Sequence, residues 1–176
     1  LATDQIPTER LGDWQAARVE AQQTAFLQYT SGSTSSPRGV IVSHRNLISN
    51  AALIRQAFGT TAESSAVFWL PLYHDMGLIG GVIQPVYCGG TCTLLAPVAF
   101  LQRPALWLET ISGMRAEISG GPDFAFALCA RKVSEAERKA LDLSSWQVAF
   151  TGAERIRSST LEQFADLGVQ GVGFDD

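Results

Sequence analysis

Apolar residues along the chain fall into short runs that alternate with stretches repeating every three to four positions. "AFLQY" (25–29) is the first run, and a polar stretch separates it from "VIV" (40–42). Both predict strands. Leu47, Ala51, Ile54 and Phe58 then recur on one face of a helix expected over 46–58, with Ser43 placed as its N-cap. "AVFWLPL" (66–72) predicts a buried strand, "GLIGGVIQPVY" (77–87) an apolar helix and "TCTLL" (91–95) another strand. Pro104 stands at a favourable first position for a helix over 105–114. "AEIS" (116–119) predicts a strand running into Gly120-Gly121-Pro122, and "DFAFALCARK" (123–132) a helix. A charged helix over 134–141 carries Ser134 and Glu137 at capping-box spacing. "WQVAF" (146–150) predicts the last strand, and a final helix lies near 158–166.

Strands that alternate with helices and read as continuous apolar runs point to an α/β fold. The expected architecture is a layered, mostly parallel sheet with helices on both faces. Ligands of such sheets gather beyond the carboxyl ends of the strands. Four polar or Gly-rich connections occupy positions of that kind: 30–39, 72–77, 119–123 and 151–155.

Composition narrows the chemistry. The 176 residues are 46% hydrophobic and 17% charged, enough for a buried core and unlike a disordered chain. A net charge of -4, with no basic stripe interleaved with aromatics, gives no support for nucleic-acid binding. Cys88, Cys92 and Cys129 form no CxxC pair and predict reduced thiols in a cytoplasmic protein. His44 and His74 lie far apart in sequence, so no metal site is expected. The longest apolar stretch, 77–87, is too short to span a bilayer and contains Gln84 and Pro85. The opening "LATDQIPTERLGDW" has neither methionine nor a basic leader, and reads as the middle of something longer.

The densest chemistry lies in "YTSGSTSSPRGVIVSHRN" (29–46). Hydroxyls of Thr30, Ser31, Ser33, Thr34, Ser35 and Ser36 offer rotatable donors, and Gly32 and Gly39 let backbone N–H groups approach an anion. Arg38 supplies a charged fork suited to phosphate oxygens. It is not a Walker loop, because Gly39 is followed by Val40-Ile41 rather than Lys-Ser/Thr. Composition alone fits a Ser-rich linker equally well.

The order of residues goes further. "YTSGSTSSPRGVIVSH" resembles the phosphate-loop signature of the acyl-adenylate-forming superfamily. Ser35 in place of Gly and Arg38 in place of Lys look like its fatty acyl-AMP ligase branch. "LPLYHDMGLIGG" (70–81) is similar to the branch's second signature, and "AFLQRPALWLETIS" and "SGGPDFAFALCARK" to stretches lining its acyl pocket. "LDLSSWQVAFTGAERIR" (141–157) is similar to the segment whose Gly-Ala-Glu turn contacts adenine. Asp123, Phe126 and Thr151 stand where Asn, Tyr and Asn are usual.

The resemblance implies a ligase joining a fatty acid to ATP as acyl-AMP, with pyrophosphate released, for transfer to an acyl carrier protein. Thr30, Ser31, Gly32, Ser33, Thr34, Ser35, Arg38 and Gly39 would cradle the phosphates. His74 would donate to the carboxylate or the α-phosphate, and Asp75 would cap the next helix. Gly152, Ala153 and Glu154 would flank adenine. Gly80, Gly81, Ser119, Gly120, Gly121, Pro122 and Phe126 would line the acyl pocket. Gly77, Gly80 and Gly81 serve close helix–sheet packing equally well, and Phe124 and Phe126 are more often core than pocket, with room for only one to face a ligand. The resemblance further implies a Mg²⁺ ligand and a small C-terminal domain outside residues 1–176. The chain is then the central part of an N-terminal AMP-binding domain, inactive by itself. A fatty acyl-CoA synthetase and a noncatalytic nucleotide- or acyl-binding module are the two other readings.

Overall fold

Thr24–Thr30 (β1) and Arg38–Ser43 (β2) pair antiparallel, with Thr30 opposite Arg38 and Tyr29 opposite Gly39. This hairpin belongs to the first of two compact units, residues 1–47 and 48–176. The computed structural model describes Gly12, residues 15–30 and residues 38–169. Helix α1 (His44–Phe58) begins where the sequence places its cap. The Ser43 Oγ accepts from the Asn46 N–H at 3.2 Å, and the Asn46 Oδ1 accepts from the Ser43 N–H at 3.0 Å. The two side chains thereby satisfy donors reciprocally at the helix start.

In the second unit, β3 (Ser65–Phe68), β4 (Thr91–Leu94), β5 (Ile118–Gly121) and β6 (Val148–Thr151) form a parallel sheet in the order β4-β3-β5-β6. β3 ends at Phe68 rather than residue 72, and Pro71, which has no N–H to give a ladder, lies beyond it. β5 lies two residues later than expected and includes Gly120 and Gly121, both buried. A Cβ on Gly120 would lie 2.3 Å from the Phe150 carbonyl oxygen, and one on Gly121 would lie 2.9 Å from the Trp69 indole. These glycines are therefore strand residues chosen for space, not turn residues.

Side chains alternate across the sheet. On one face Ser119 is wholly buried, donating to the Val67 carbonyl at 2.5 Å and accepting from the Trp107 Nε1 at 2.8 Å. Trp107 lies in α5 (Ala105–Met114), and Phe126 in α6 (Asp123–Lys132). Phe126 packs edge-on against Trp107 and against Phe164 of α8 (Ser158–Ala165), with centroids 5.4 and 5.1 Å apart. Helix α4 (Pro97–Gln102), absent from the sequence reading, starts on Pro97 and stacks Phe100 on Trp69 at 3.9 Å. Such pairs add about 0.5–1.5 kcal/mol each beyond their burial. The short helix α7 (Glu135–Lys139) carries the expected capping box of Ser134 and Glu137.

The opposite face carries Ala66 and Phe68 of β3, Ile118 of β5 and Phe150 of β6. It is covered by residues 48–58 of α1 and by a helical run in three parts. These are α2 (Asp75–Leu78), a π-helical turn (Ile79–Ile83) and α3 (Gln84–Cys88), where the sequence predicted one helix over 77–87. Among the described residues no helix is long and apolar enough to cross a membrane.

Candidate active site

A cavity of about 330 Å³ separates this second sheet face from the helices above it. Ala66, Phe68, Ile118 and Phe150 form its floor, and Ile54 and Phe58 of α1 close one side. The other side is a stripe of the three-part helix: Met76, Gly80, Gln84 and Cys88, each four residues after the last. In an unbroken α-helix three such steps would rotate Cys88 by roughly 120° from Met76. The wider turn at Ile79–Ile83, closed by the Gln84 N–H donating five residues back to the Ile79 carbonyl, takes that drift out. Gln84 is then fixed by its Nε2 donating to the Ala51 carbonyl at 3.2 Å.

The cavity has two different ends. Thr60, Ser64 and Thr91 stand where β3 and β4 begin. Asp75, Met76 and Ala153 stand beyond the carboxyl ends of β3 and β6. A slot lined by hydrocarbon over most of its length therefore runs along the strands. It reaches the sheet edge where α/β proteins hold their ligands.

At that edge the backbone turns sharply after β6. Ala153 holds a left-handed conformation, φ 66°, which an L-residue adopts only when its surroundings compel it. A Cβ on Gly152 would come 3.3 Å from the Met76 methyl, so the turn and α2 pack closely. Glu154 is exposed but tethered. Its Oε1 accepts the Phe124 N–H at 2.7 Å in the first turn of α6.

His74 precedes α2, its N–H donating to the Pro71 carbonyl at 3.1 Å. It is the residue before the helix, and Asp75, the expected cap, is instead the first helical residue. The His74 Nδ1 lies 2.8 Å from the Asp75 Oδ1 and 3.3 Å from the Met76 nitrogen. The Met76 N–H also reaches the Asp75 Oδ1 at 2.7 Å. Nδ1 accepts the Met76 N–H as the N-cap of α2 and lies beside the Asp75 carboxylate, which leaves Nε2 for an incoming group. About half of the imidazole is exposed, beside the cavity residues Asp75 and Met76.

The remaining expected positions divide. Gly80 lines the cavity, and a Cβ there would also strike the Phe68 ring at 2.6 Å. Gly81 packs on Leu94 and Phe68, and Gly77 on the Pro71 carbonyl, where a Cβ would lie 2.3 Å away. Ser119, Gly120, Gly121 and Phe126 do not line the cavity. Hydrogen bonding, close strand packing and the aromatic cluster hold them in the core. Pro122 precedes α6 as its extended N-cap residue and is likewise off the cavity wall. The hairpin pairs Thr30 with Arg38 and sets Gly39 against the Tyr29 ring, while Ser31, Gly32, Ser33, Thr34 and Ser35 lie outside the described residues. Sequence reasoning missed the floor residues Ala66, Phe68, Ile118 and Phe150. Strands apolar throughout do not reveal which alternate set faces a ligand.

Burial pushes the thiols of Cys92 and Cys129 up to about 11 and about 12, so neither is a nucleophile near neutral pH. Among the described residues, none of Asp75, Met76 and Ala153 at the cavity's carboxyl-edge end is a thiol or hydroxyl nucleophile. What the edge offers is a positioned imidazole, a tight backbone turn and an apolar slot.

The AMP-binding enzyme family matches residues 2–173. The chain belongs to this family. It is 46% identical over 164 residues to the medium-chain-fatty-acid–[acyl-carrier-protein] ligase JamA of Moorena producens, covering 93% of this chain and 28% of that protein. It is 50% identical over 142 residues to the ligase of the same description, TtuA, from Teredinibacter turnerae, covering 80% and 22%. Among solved structures, the fatty acyl-adenylate ligase from L. pneumophila in complex with acyl adenylate and pyrophosphate superposes with a TM-score of 0.89 at 43% identity. That match covers 94% of this chain and 29% of the other. The AMP-binding chain thus spans between a fifth and a third of the length of these relatives.

Proposed function

We propose that the chain is the central part of the N-terminal domain of a ligase that activates a fatty acid with ATP. The products are acyl-AMP and pyrophosphate, and the acyl group passes on to an acyl carrier protein. The observation that carries this reading is the apolar slot reaching the carboxyl edge between Met76 and Ala153. Its hydrocarbon lining suits an alkyl chain, and the carboxyl edge, beside His74 and the turn after β6, suits a charged head. The ligase relatives and the solved acyl-adenylate complex support the same assignment.

In this reading the alkyl chain lies over Ala66 and Ile118 with its carboxylate at the edge. A carboxylate oxygen attacks the α-phosphorus of ATP, and the bond to the pyrophosphate oxygen breaks. Both reactants are anions, so the protein's task is positioning and charge compensation rather than covalent chemistry. His74 contacts the carboxylate or the α-phosphate through Nε2, with Nδ1 held beside Asp75. Thr30, Ser31, Gly32, Ser33, Thr34, Ser35 and Gly39 supply hydroxyls and amides to the departing phosphates, with Arg38 as counter-charge. Gly152, Ala153 and Glu154 carry the adenine, the small Gly152 and Ala153 leaving room for a flat ring. Magnesium belongs to this proposal as the nucleotide's counter-ion. Among the described residues no three carboxylate, histidine or cysteine side chains come together to fit it, and no step here runs through it. A cytoplasmic location, where ATP is available, fits the reading.

The test is fatty-acid-dependent ATP–pyrophosphate exchange by the full-length protein containing this chain. Exchange with medium-chain saturated acids is expected. Absence of exchange with every fatty acid tried, from folded protein, would overturn the assignment.

A further inference from the structure

The turn after β6 is tied down at two neighbouring points of α6. Phe124 gives its N–H to Glu154, as described, and the residue before it, Asp123, holds Arg157. The Asp123 side chain is wholly buried. Its Oδ1 accepts the Arg157 backbone N–H at 2.9 Å, and its Oδ2 accepts Arg157 Nε at 2.9 Å and Nη2 at 2.6 Å. Thr160 Oγ1 adds a fourth donor at 3.2 Å to Oδ2. One carboxylate therefore gathers the backbone, the guanidinium and the following helix of the segment that leaves the turn. The Arg157 backbone bond and the charge beside it hold that carboxyl below the usual carboxylate range, so it is ionised at neutral pH.

A charge pair with a wholly buried carboxylate and a largely exposed guanidinium is a poor device for stability, because desolvation of the one and solvent screening of the other offset most of the attraction. It is a good device for geometry, since two guanidinium N–H groups converge on Oδ2 while the backbone N–H of the same residue is held by Oδ1. The geometry in need of fixing lies four residues before Arg157. Ala153 keeps its left-handed backbone only if the surrounding structure over-determines it. The Glu154–Phe124 and Asp123–Arg157 bonds clamp the chain immediately after that residue.

We infer that Asp123 is a positioning residue for nucleotide binding. It touches no substrate, but through Arg157 it holds Gly152-Ala153-Glu154 in the conformation that receives adenine. This rests on the adenine assignment made above. Asp123 stands where the sequence resemblance leads one to expect Asn, so the charged form of the clasp is a feature of this chain.

The test uses the full-length protein, Asp123→Ala and Asp123→Asn, with steady-state exchange kinetics in ATP and in fatty acid separately. For Asp123→Ala the KM for ATP is expected to rise about tenfold, the worth of one net charge-assisted hydrogen bond. The kcat and the KM for fatty acid should stay within twofold. Asp123→Asn keeps the shape and one acceptor, and should restore most of the loss. An Asp123→Ala protein that melts cooperatively yet keeps its KM for ATP would overturn the inference, as would a fall confined to kcat. Should Asp123→Ala fail to fold, Asp123→Asn carries the test. A rise of about threefold in KM for ATP supports the clasp and an unchanged KM refutes it. Wild-type protein without any exchange would instead sink the adenylation reading itself.

Discussion

Ala66 offers the sharpest handle on the acyl slot. It lies in β3, one of the two inner strands, forms part of the cavity floor beside Ile118, and is 8% exposed. Replacing it with leucine adds three carbon atoms to a space of about 330 Å³ that is otherwise open to a ligand. An alkyl chain that reaches past this point loses room for about three methylenes. At about 0.8 kcal/mol per methylene kept out of the slot, the penalty is about 2.4 kcal/mol. That corresponds to about a fiftyfold loss in kcat/KM. An acid short enough to stop before Ala66 loses nothing. The assay is ATP–pyrophosphate exchange by the full-length Ala66→Leu protein across a series of saturated acids. The expected result is a break in the length profile, with short acids within twofold of wild type and longer ones depressed. Because the added carbons enter a void rather than a packed contact, the urea midpoint should not fall. A uniform loss across all lengths, or a profile unchanged, would refute the placement of the alkyl chain over β3.

Other expectations follow from single contacts. His74→Ala should lower kcat about a hundredfold with a cooperative melt retained, as expected for loss of one donor to developing charge; an unchanged kcat would remove His74 from the site. Gly77→Ala forces a methyl to 2.3 Å from the Pro71 carbonyl, and should destabilise by about 3 kcal/mol in urea unfolding. A midpoint within error of wild type would show that α2 is free to shift. Asp123 titrates lower in the folded protein than in the unfolded chain. Its contribution is therefore present above about pH 3.9 and fades as pH falls through the lower folded value. Acid unfolding should show wild type losing its advantage over Asp123→Asn below that pH, and a constant difference across pH would contradict the clasp.

The sheet was legible because its strands are short apolar runs bounded by polar turns, and β6, α6 and the capping box of α7 came close to where patterning puts them. Three features were not. Gly120 and Gly121 read as a turn, yet they continue β5, because the demand there is for space beside Phe150 and Trp69. The π-helical turn is invisible to a 3.6-residue period. Its trace is the four-residue spacing of Met76, Gly80, Gln84 and Cys88, which only acquires meaning once the cavity is known. Ser119 and Phe126 were assigned to the acyl pocket by resemblance, and both are buried with Trp107 on the first sheet face, away from the cavity. At the site, the turn at 152–154 and the histidine before α2 could be read from local residue order. The Asp123–Arg157 clasp could not, since its partners are 34 residues apart and neither belongs to a motif that names the other.

The most direct measurement is a crystal structure of the full-length protein with a non-hydrolysable medium-chain acyl-adenylate analogue. The alkyl chain is expected along the floor formed by Ala66, Ile118 and Phe150, with the adenine against Gly152-Ala153-Glu154 and His74 at the acyl–phosphate junction. An alkyl chain lying outside that slot, or an adenine seated away from the turn after β6, would contradict it.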